Sequence, residues 1–328
     1  MLRSKNPIVL RLYVTKKCGL HCGYCIDGGM QPYYAPPPVD AKYEDTKQLI
    51  DECPELGVKF VEFAGGNPLE WWPMLPRILA YCKKKRPELF TLLPVSGLGL
   101  TNYLNILQPE WLPDPNLLRI SIHYNSKGIV SFESLYEGLK VVKKYRSEGK
   151  TQLGVVLIPG REGNLRQELL EPVLTLARDL SYPIHISMVL GTWRNGNWNK
   201  YKNLWRTISD SDRTVLNWFI GQPVVMVQSR EKAERCLAGG NDRNNPSCQA
   251  GISVITIRNN RLIDPCAINP CLCEDIKDSL ADTLRSKERM TCEKPGTYDY
   301  CDGCTYECSD VTGALLDSSD PIETYCSM

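Results

Sequence analysis

Short apolar runs alternate with longer amphipathic stretches over the first 190 residues or so, and this alternation limits the fold more than any other feature. The β-branched runs predict six strands separated by helices. Strand–helix–strand repetition requires a parallel sheet with right-handed crossovers. The predicted strands are Ile8 to Val14, Lys59 to Phe63, Leu89 to Val95, Leu118 to His123, Leu153 to Ile158 and Pro183 to Val189.

Amphipathic stretches predict helices between these strands and one more after them. Cys53 and Cys82 fall in the first two and are predicted to be ordinary buried residues. The polar, aromatic stretch 191–203 is predicted to be a connector. The predicted helices are Tyr43 to Leu56, Met74 to Lys85, Ser131 to Ser147, Leu165 to Leu180 and Asp210 to Phe219.

Composition excludes several classes of protein. Lys plus Arg number 39 and Asp plus Glu 38, so a formal net charge of +1 argues against nucleic acid or a membrane surface as partner. With 42% hydrophobic and 23% charged residues, the 328-residue chain is typical of globular proteins. The first residues do not read as a secretory signal, and no apolar run approaches the roughly 18 residues of a membrane span. We therefore expect a cytoplasmic protein.

Three cysteines directly follow the first predicted strand. Cys18, Cys22 and Cys25 form a C-x3-C-x2-C array in a short loop with small residues. Such a loop can surround an iron–sulfur cube, and three thiolates would leave one iron open to another ligand. The alternatives are a zinc site with His21 as fourth ligand, or unconnected buried cysteines.

A second cysteine cluster extends from Cys236 to Cys326, where ten of the 15 cysteines lie. In a reducing compartment such a cluster favours metal binding over disulfides. Within it, Ile252 to Ile257 and Arg261 to Ile263 flank Asn259-Asn260 and predict a hairpin. A zinc ribbon or a disulfide scaffold remains the alternative for this segment.

The first cluster resembles that of the radical S-adenosylmethionine (radical SAM) superfamily, which carries a C-x3-C-x2-C loop after the first strand of a partial (β/α)6 TIM-type barrel. The resemblance implies that Tyr24 packs near the adenine of the cofactor. It also implies that the backbone of Gly65, Gly66, Asn67 and Pro68, which follow the second strand, meets the methionyl amino group. Asn67 stands where the family has glutamate.

The resemblance extends to the third, fourth and fifth strands. Ser96 and Gly97 correspond to a turn near the cofactor, and Ser121 to a serine that meets the ribose. His123 stands where aspartate is usual, and its alternative role is that of a satisfied polar residue beside a loop. Val156, with Ile158, lines the adenine pocket or belongs to the core.

The C-terminal cysteines resemble those of the SPASM extension of this superfamily, which binds auxiliary 4Fe-4S clusters. We therefore expect residues 1–220 to form the radical SAM barrel and 221–328 a small cysteine-rich auxiliary-cluster domain. Cys271 and Cys273 are reserve ligands, because their spacing is tight for one cube. The expected ligands are Cys236, Cys248, Cys266, Cys292, Cys301, Cys304, Cys308 and Cys326.

The resemblance implies a radical SAM oxidoreductase with one catalytic and one or two auxiliary 4Fe-4S clusters, and an electron donor such as flavodoxin or ferredoxin. Only 17 residues precede Cys18, so we expect no leader-binding module there. This favours a small molecule or short peptide segment as substrate. One alternative is a peptide-maturing enzyme with a separate delivery partner. Another is a non-catalytic zinc or iron–sulfur protein.

Overall fold

The computed structural model describes residues 7–20, 40–107, 109–125, 128–146, 150–160, 163–188, 208–238, 240–246, 248, 250–251, 253–258, 261–264, 274–276, 278–285, 296–297 and 301. The strands in these ranges are β1 Val9–Thr15, β2 Phe60–Gly65, β3 Phe90–Ser96, β4 Leu117–Ile122, β5 Tyr124–Asn125, β6 Gly128–Ile129, β7 Lys150–Leu157, β8 Ile184–Met188, β9 Val254–Arg258, β10 Leu262–Asp264 and β11 Glu274–Asp275. The helices are α1 Tyr43–Leu56, α2 Met74–Lys85, α3 Leu100–Leu107, α4 Phe132–Tyr145, α5 Gln167–Leu180, α6 Asp210–Ile220, α7 Val227–Leu237 and α8 Leu280–Arg285.

All six predicted strands and all five predicted helices are present, which confirms the predicted α/β class with the parallel strands of a partial barrel. The bounds of α1 and α2 are those expected. Helix α1 ends where Gly57 adopts φ 75°, a left-handed conformation that favours glycine. Helix α6 begins with a capping box between Ser209 and Asp212.

The chain forms two compact units, of which the first comprises residues 1–94, 114–117 and 249–295. Its strands follow the order β11-β10-β9-β1-β2-β3. Strand β1 pairs in parallel with β2 on one side and with β9 on the other, while β9 and β10 form the predicted hairpin. A strand from the C-terminal third of the chain therefore continues the sheet beyond β1.

Helices α1 and α2 of the first unit bury their apolar sides. Cys53 and Cys82 are 0% and 1% exposed, which confirms the expectation that both are core residues. Burial raises the pKa of the Cys82 thiol to about 12 and raises that of Cys53 as well. On the strands, Arg11 and Glu62 stand opposite each other and form a buried ion pair of 2.6 Å.

The second unit comprises residues 95–113, 118–248 and 296–328. Its strands follow the order β4-β7-β8, and β7 pairs in parallel with β8. At the amino end of β7 the buried guanidinium of Arg146 donates to the carbonyls of Leu112 and Lys150 and to the hydroxyl of Thr151. One cation thus connects three backbone segments at the end of the strands away from the candidate site.

In the ranges that the structure describes, no helix combines the length and the apolar character needed to cross a membrane. The division at residue 220 stays a prediction. The predicted connector at 191–203 and the pair Asn259-Asn260 lie outside the described residues.

Candidate functional site

The segment that carries the first three cysteines starts and ends at the carboxyl end of β1. The carboxylate of Asp40, at its far end, accepts hydrogen bonds of 2.6 Å from the Thr15 hydroxyl and from the Lys17 ammonium. One residue later, the Ala41 amide donates to the Val14 carbonyl at 2.8 Å. Thr15 is fully buried, so the hydrogen bond to Asp40 fixes the base of this segment.

Cys18 lies three residues beyond β1 and is half-buried. Catalytic sites of barrel folds lie at the carboxyl ends of the strands, so Cys18 is placed where the sequence predicted a cluster ligand. Cys22, Cys25, Tyr24 and His21 lie outside the described residues. The structure therefore describes the start of the predicted cluster loop, up to residue 20, and the residues from Asp40 onward that follow it.

The two glycines after β2 pack directly against the start of this loop. Gly66 donates to the Thr15 carbonyl and Asn67 to the Lys17 carbonyl, both at 2.8 Å. A β-carbon on Gly65 would collide with the Thr15 carbonyl, and one on Gly66 with that of Lys17. Gly65 also has φ 134°. Glycine is therefore required at both positions by close backbone approach.

Asn67 and Pro68 turn the chain away from this contact. Pro68 opens a short 3₁₀ turn, and the Asn67 side chain caps it by accepting from the Leu69 amide at 3.4 Å. Asn67 is 3% exposed. Asparagine can cap this turn without the charge that glutamate would bring into a buried position.

In the second unit, four of the predicted cofactor residues lie together at the carboxyl ends of β3 and β4. The Ser96 hydroxyl is 3.1 Å from Nε2 of His123. The Gly97 amide donates to the Ser121 carbonyl at 2.8 Å. A β-carbon on Gly97 would lie 2.8 Å from the Leu135 side chain, so glycine permits this close packing.

His123 is neutral near pH 7, because burial lowers its pKa to about 4. A neutral imidazole has one donor and one acceptor nitrogen, and the tautomer decides which group donates in the pair with Ser96. Among the residues that the structure describes, the buried hydroxyl of the next residue, Tyr124, has no hydrogen-bond partner.

Val156 lies near the end of β7, where an asparagine orders the following loop. The Asn164 amide donates to the Val156 carbonyl, and its oxygen accepts from the Ile158 amide, both at 2.8 Å. The Gly160 amide donates to the Asp212 carboxylate at 3.2 Å. Val156 is half-buried, which leaves both of its predicted roles open.

Three of the predicted tail ligands lie among the residues that the structure describes. Cys236 and Cys301 are buried and Cys248 is half-buried. The buried Asn241 amide donates to the carbonyls of Gly296 at 2.8 Å and Cys301 at 3.1 Å. A β-carbon on Gly296 would lie 2.8 Å from that of Cys248. Asn241 and Gly296 thus connect the backbones around Cys248 and Cys301.

Within the described parts of the chain, no group of three or more His, Cys, Asp or Glu side chains is placed to bind a metal ion. The chemistry of the donors nonetheless fits an iron–sulfur cluster, because both segments carry cysteines and thiolates are its usual ligands. The remaining predicted tail cysteines lie outside the described residues: Cys266, Cys271, Cys273, Cys292, Cys304, Cys308 and Cys326.

Sequence reasoning missed the polar residues that position these segments. Asp40 and Asn241 connect groups far apart in sequence, whereas Asn164 orders the loop directly after β7. Asn164 follows a Pro-Gly pair closely, which marks a turn. For Asp40 and Asn241 no local pattern gives a signal, because their partners are distant in the chain.

The sequence comparisons agree with this geometry. Residues 12–173 match the model of the radical SAM superfamily. A GTP 3',8-cyclase of Petrotoga mobilis is 21% identical over 287 residues, 83% of each chain. A GTP 3',8-cyclase of Synechococcus is 31% identical over 101 residues, 30% of this chain and 28% of that protein.

Solved structures show the same fold. SuiB of Streptococcus suis bound to the precursor peptide SuiA superposes with a TM-score of 0.60 at 14% identity, covering 97% of this chain and 75% of SuiB. SuiB bound to S-adenosylmethionine gives a TM-score of 0.56 at 14% identity, covering 97% and 76%. At this identity the likeness concerns the fold.

Proposed function

The chain belongs to the radical SAM superfamily, and from that membership we propose that it cleaves S-adenosylmethionine reductively and uses the 5'-deoxyadenosyl radical to remove hydrogen from a substrate. The observation that carries the proposal is the anchored cysteine loop: Thr15 and Asp40 close its base, and Gly65 and Gly66 pack on its first residues. Cys18, Cys22 and Cys25 are the proposed ligands of the catalytic 4Fe-4S cluster. When bound, this cluster supplies the electron for cleavage.

The first unit is proposed to bind the methionyl end of the cofactor. Backbone groups of Gly65, Gly66 and Pro68 are the proposed contacts. Tight packing on Thr15 and Lys17 fixes this backbone before a ligand arrives, which reduces the ordering cost of binding. The Asn67 side chain accepts from the Leu69 amide, so we assign it the task of shaping this turn.

The second unit is proposed to contact the nucleoside. Ser121 is the proposed partner of the ribose, and Ser96 and Gly97 lie beside it at the ends of the strands. His123, neutral because burial lowers its pKa to about 4, orients the Ser96 hydroxyl without adding a charge. Val156 and Tyr24 are the proposed apolar contacts of the adenine, which excludes water from the radical.

The C-terminal cysteines are proposed to bind one or two auxiliary 4Fe-4S clusters that accept an electron from the substrate or bind it directly. Support comes from the SPASM-like spacing of these cysteines. The proposed ligands outside the described residues are Cys266, Cys292, Cys304, Cys308 and Cys326.

The proposed substrate is a small molecule or a short peptide segment. A relative named GTP 3',8-cyclase favours a small molecule, whereas SuiB was crystallised with a precursor peptide. A peptide-maturing reaction with a separate delivery partner is therefore the second candidate. The proposed electron donor is a flavodoxin or ferredoxin.

The test is anaerobic cleavage of S-adenosylmethionine by reconstituted, reduced protein, followed as 5'-deoxyadenosine. We expect cleavage by the wild type and none by a Cys18→Ala, Cys22→Ala, Cys25→Ala variant. Cys82→Ala, which removes a buried thiol of α2, is the matched control and should retain cleavage. Equal cleavage by the triple variant, or zinc in place of iron and sulfide in the wild type, would overturn the proposal.

A further inference from the structure

One face of β4, β7 and β8 in the second unit is polar and half-exposed, whereas the other is apolar and buried. Ile120, Leu153 and Ile186 on the buried face are 0% exposed. Arg119 and His185 on the opposite face are half-buried. Because residues paired in a parallel sheet point to the same side, the pairing of Gly154 with His185 places Gly154 on this polar face.

Arg119 is the cation of the polar face. Its Nε and Nη2 both donate to the side-chain oxygen of Gln152, at 3.3 Å each. Among the residues that the structure describes, no carboxylate lies within ion-pair distance of Arg119. A guanidinium has five N–H donors arranged to match the oxygens of a carboxylate or phosphate. Its other donors therefore remain available to an anion.

Gly154 lets the side chain of this cation lie close against β7. Its φ lies outside the left-handed region, so backbone conformation does not require glycine there. A β-carbon would lie 3.3 Å from both the Arg119 side chain and the Ser121 hydroxyl. A glycine inside a strand weakens the strand and marks a place where another group approaches closely.

We propose that this face binds the substrate and that Arg119, whose side chain lies against Gly154, binds a carboxylate or phosphate group of it. The inference rests on the proposed function, because the face also carries Ser121, the proposed ribose contact. It names a substrate class, one with an anionic group. Ser121 lies two residues nearer the carboxyl end of β4 than Arg119, so the anion binds deeper than the cofactor does.

The test is calorimetric titration of the reconstituted, oxidised protein, saturated with S-adenosylmethionine, with inorganic phosphate and separately with acetate at constant ionic strength. We expect the wild type to bind at least one of these anions, and the preferred one identifies the group. Arg119→Gln should bind it about 10- to 100-fold more weakly, since charged hydrogen bonds are lost. Arg119→Lys should lose less, because the charge remains, and Gly154→Val should weaken binding, because the valine side chain would displace that of Arg119.

Arg77→Gln is the matched control, because Arg77 lies on α2 in the first unit and stacks on Tyr43 at 4.4 Å. It should bind as the wild type does. Equal affinity of the wild type and Arg119→Gln, no anion binding by the wild type, or loss of anion binding on adding S-adenosylmethionine would overturn the inference. Cleavage of S-adenosylmethionine by the wild type is measured separately, so that failure of the proposed function is recognised independently.

Discussion

Thr15 shows how a single hydroxyl can fix the geometry of a much longer segment. It donates to Asp40 at 2.6 Å and accepts from the Lys17 amide at 3.1 Å. Thr15 lies just beyond the predicted first strand, and no role is predicted for it from the sequence. Its importance arises from Asp40, 25 positions away, and contacts over such separations are not encoded in local patterns.

Replacing Thr15 by the isosteric valine should lower the free energy of unfolding by about 1–3 kcal/mol, because buried polar partners lose their hydrogen bonds. The measurement is the urea midpoint at unchanged m-value. The control is Thr175→Val, at an exposed position of α5 where the Thr175 hydroxyl donates to the Glu171 carbonyl at 3.2 Å. It should change stability by at most about 0.5 kcal/mol. Equal effects of the two substitutions would contradict the assigned role.

His123 should make the protein less stable in mild acid. Burial lowers its folded-state pKa from 6.5 to about 4, so the unfolded chain binds the proton more readily than the folded one between these values. The stability contribution is therefore present above pH 6.5 and is lost as the pH falls toward 4. His123→Gln should flatten the fall in unfolding free energy over this range, as measured by urea titrations at several pH values. An unchanged slope would mean that His123 is not the titrating group.

Strands and helices of the barrel were predictable because their hydrophobic periods are local. Helix α3 was missed, because its eight residues follow a glycine-containing turn and offer only two turns of periodicity. The hairpin of β9 and β10 was predicted, but the parallel pairing of β9 with β1 was not. Likewise, a glycine within a predicted strand, such as Gly154, can be recognised in the sequence as a place of close approach. The proximity of Arg119 to Gly154 is visible only in the folded structure.

Arg146 should be the most sensitive cation at the amino end of β7. Burial lowers its pKa to about 10, and its donors satisfy the carbonyls of Leu112 and Lys150. Arg146→Met should therefore cost about 3 kcal/mol or more of unfolding free energy, because the buried carbonyl of Leu112 and the part-buried carbonyl of Lys150 lose their partner. Arg178→Met is the control, since Arg178 is exposed and contacts Gln222. A loss below about 1 kcal/mol for Arg146→Met, measured by urea denaturation, would refute this assignment.

The metal content of the complete protein tests the role of the C-terminal cysteines. Ten thiols beyond residue 235 exceed the eight that two 4Fe-4S clusters need, so we expect about twelve iron atoms per chain across three clusters. Iron and acid-labile sulfide are measured after anaerobic reconstitution, with the Cys53→Ala variant as control. About eight irons would indicate one auxiliary cluster, and about four would contradict auxiliary binding.

Electron paramagnetic resonance of the reduced protein, with and without S-adenosylmethionine, shows whether the cysteine loop binds a cluster with an iron open to the cofactor. We predict that the wild-type cluster signal changes when S-adenosylmethionine is added. The same change should persist in a Cys248→Ala, Cys301→Ala variant and disappear in the Cys18→Ala, Cys22→Ala, Cys25→Ala variant. A wild-type signal that does not change when S-adenosylmethionine is added would contradict the assignment of the catalytic centre to this loop. The same signal change in the triple variant would also contradict it.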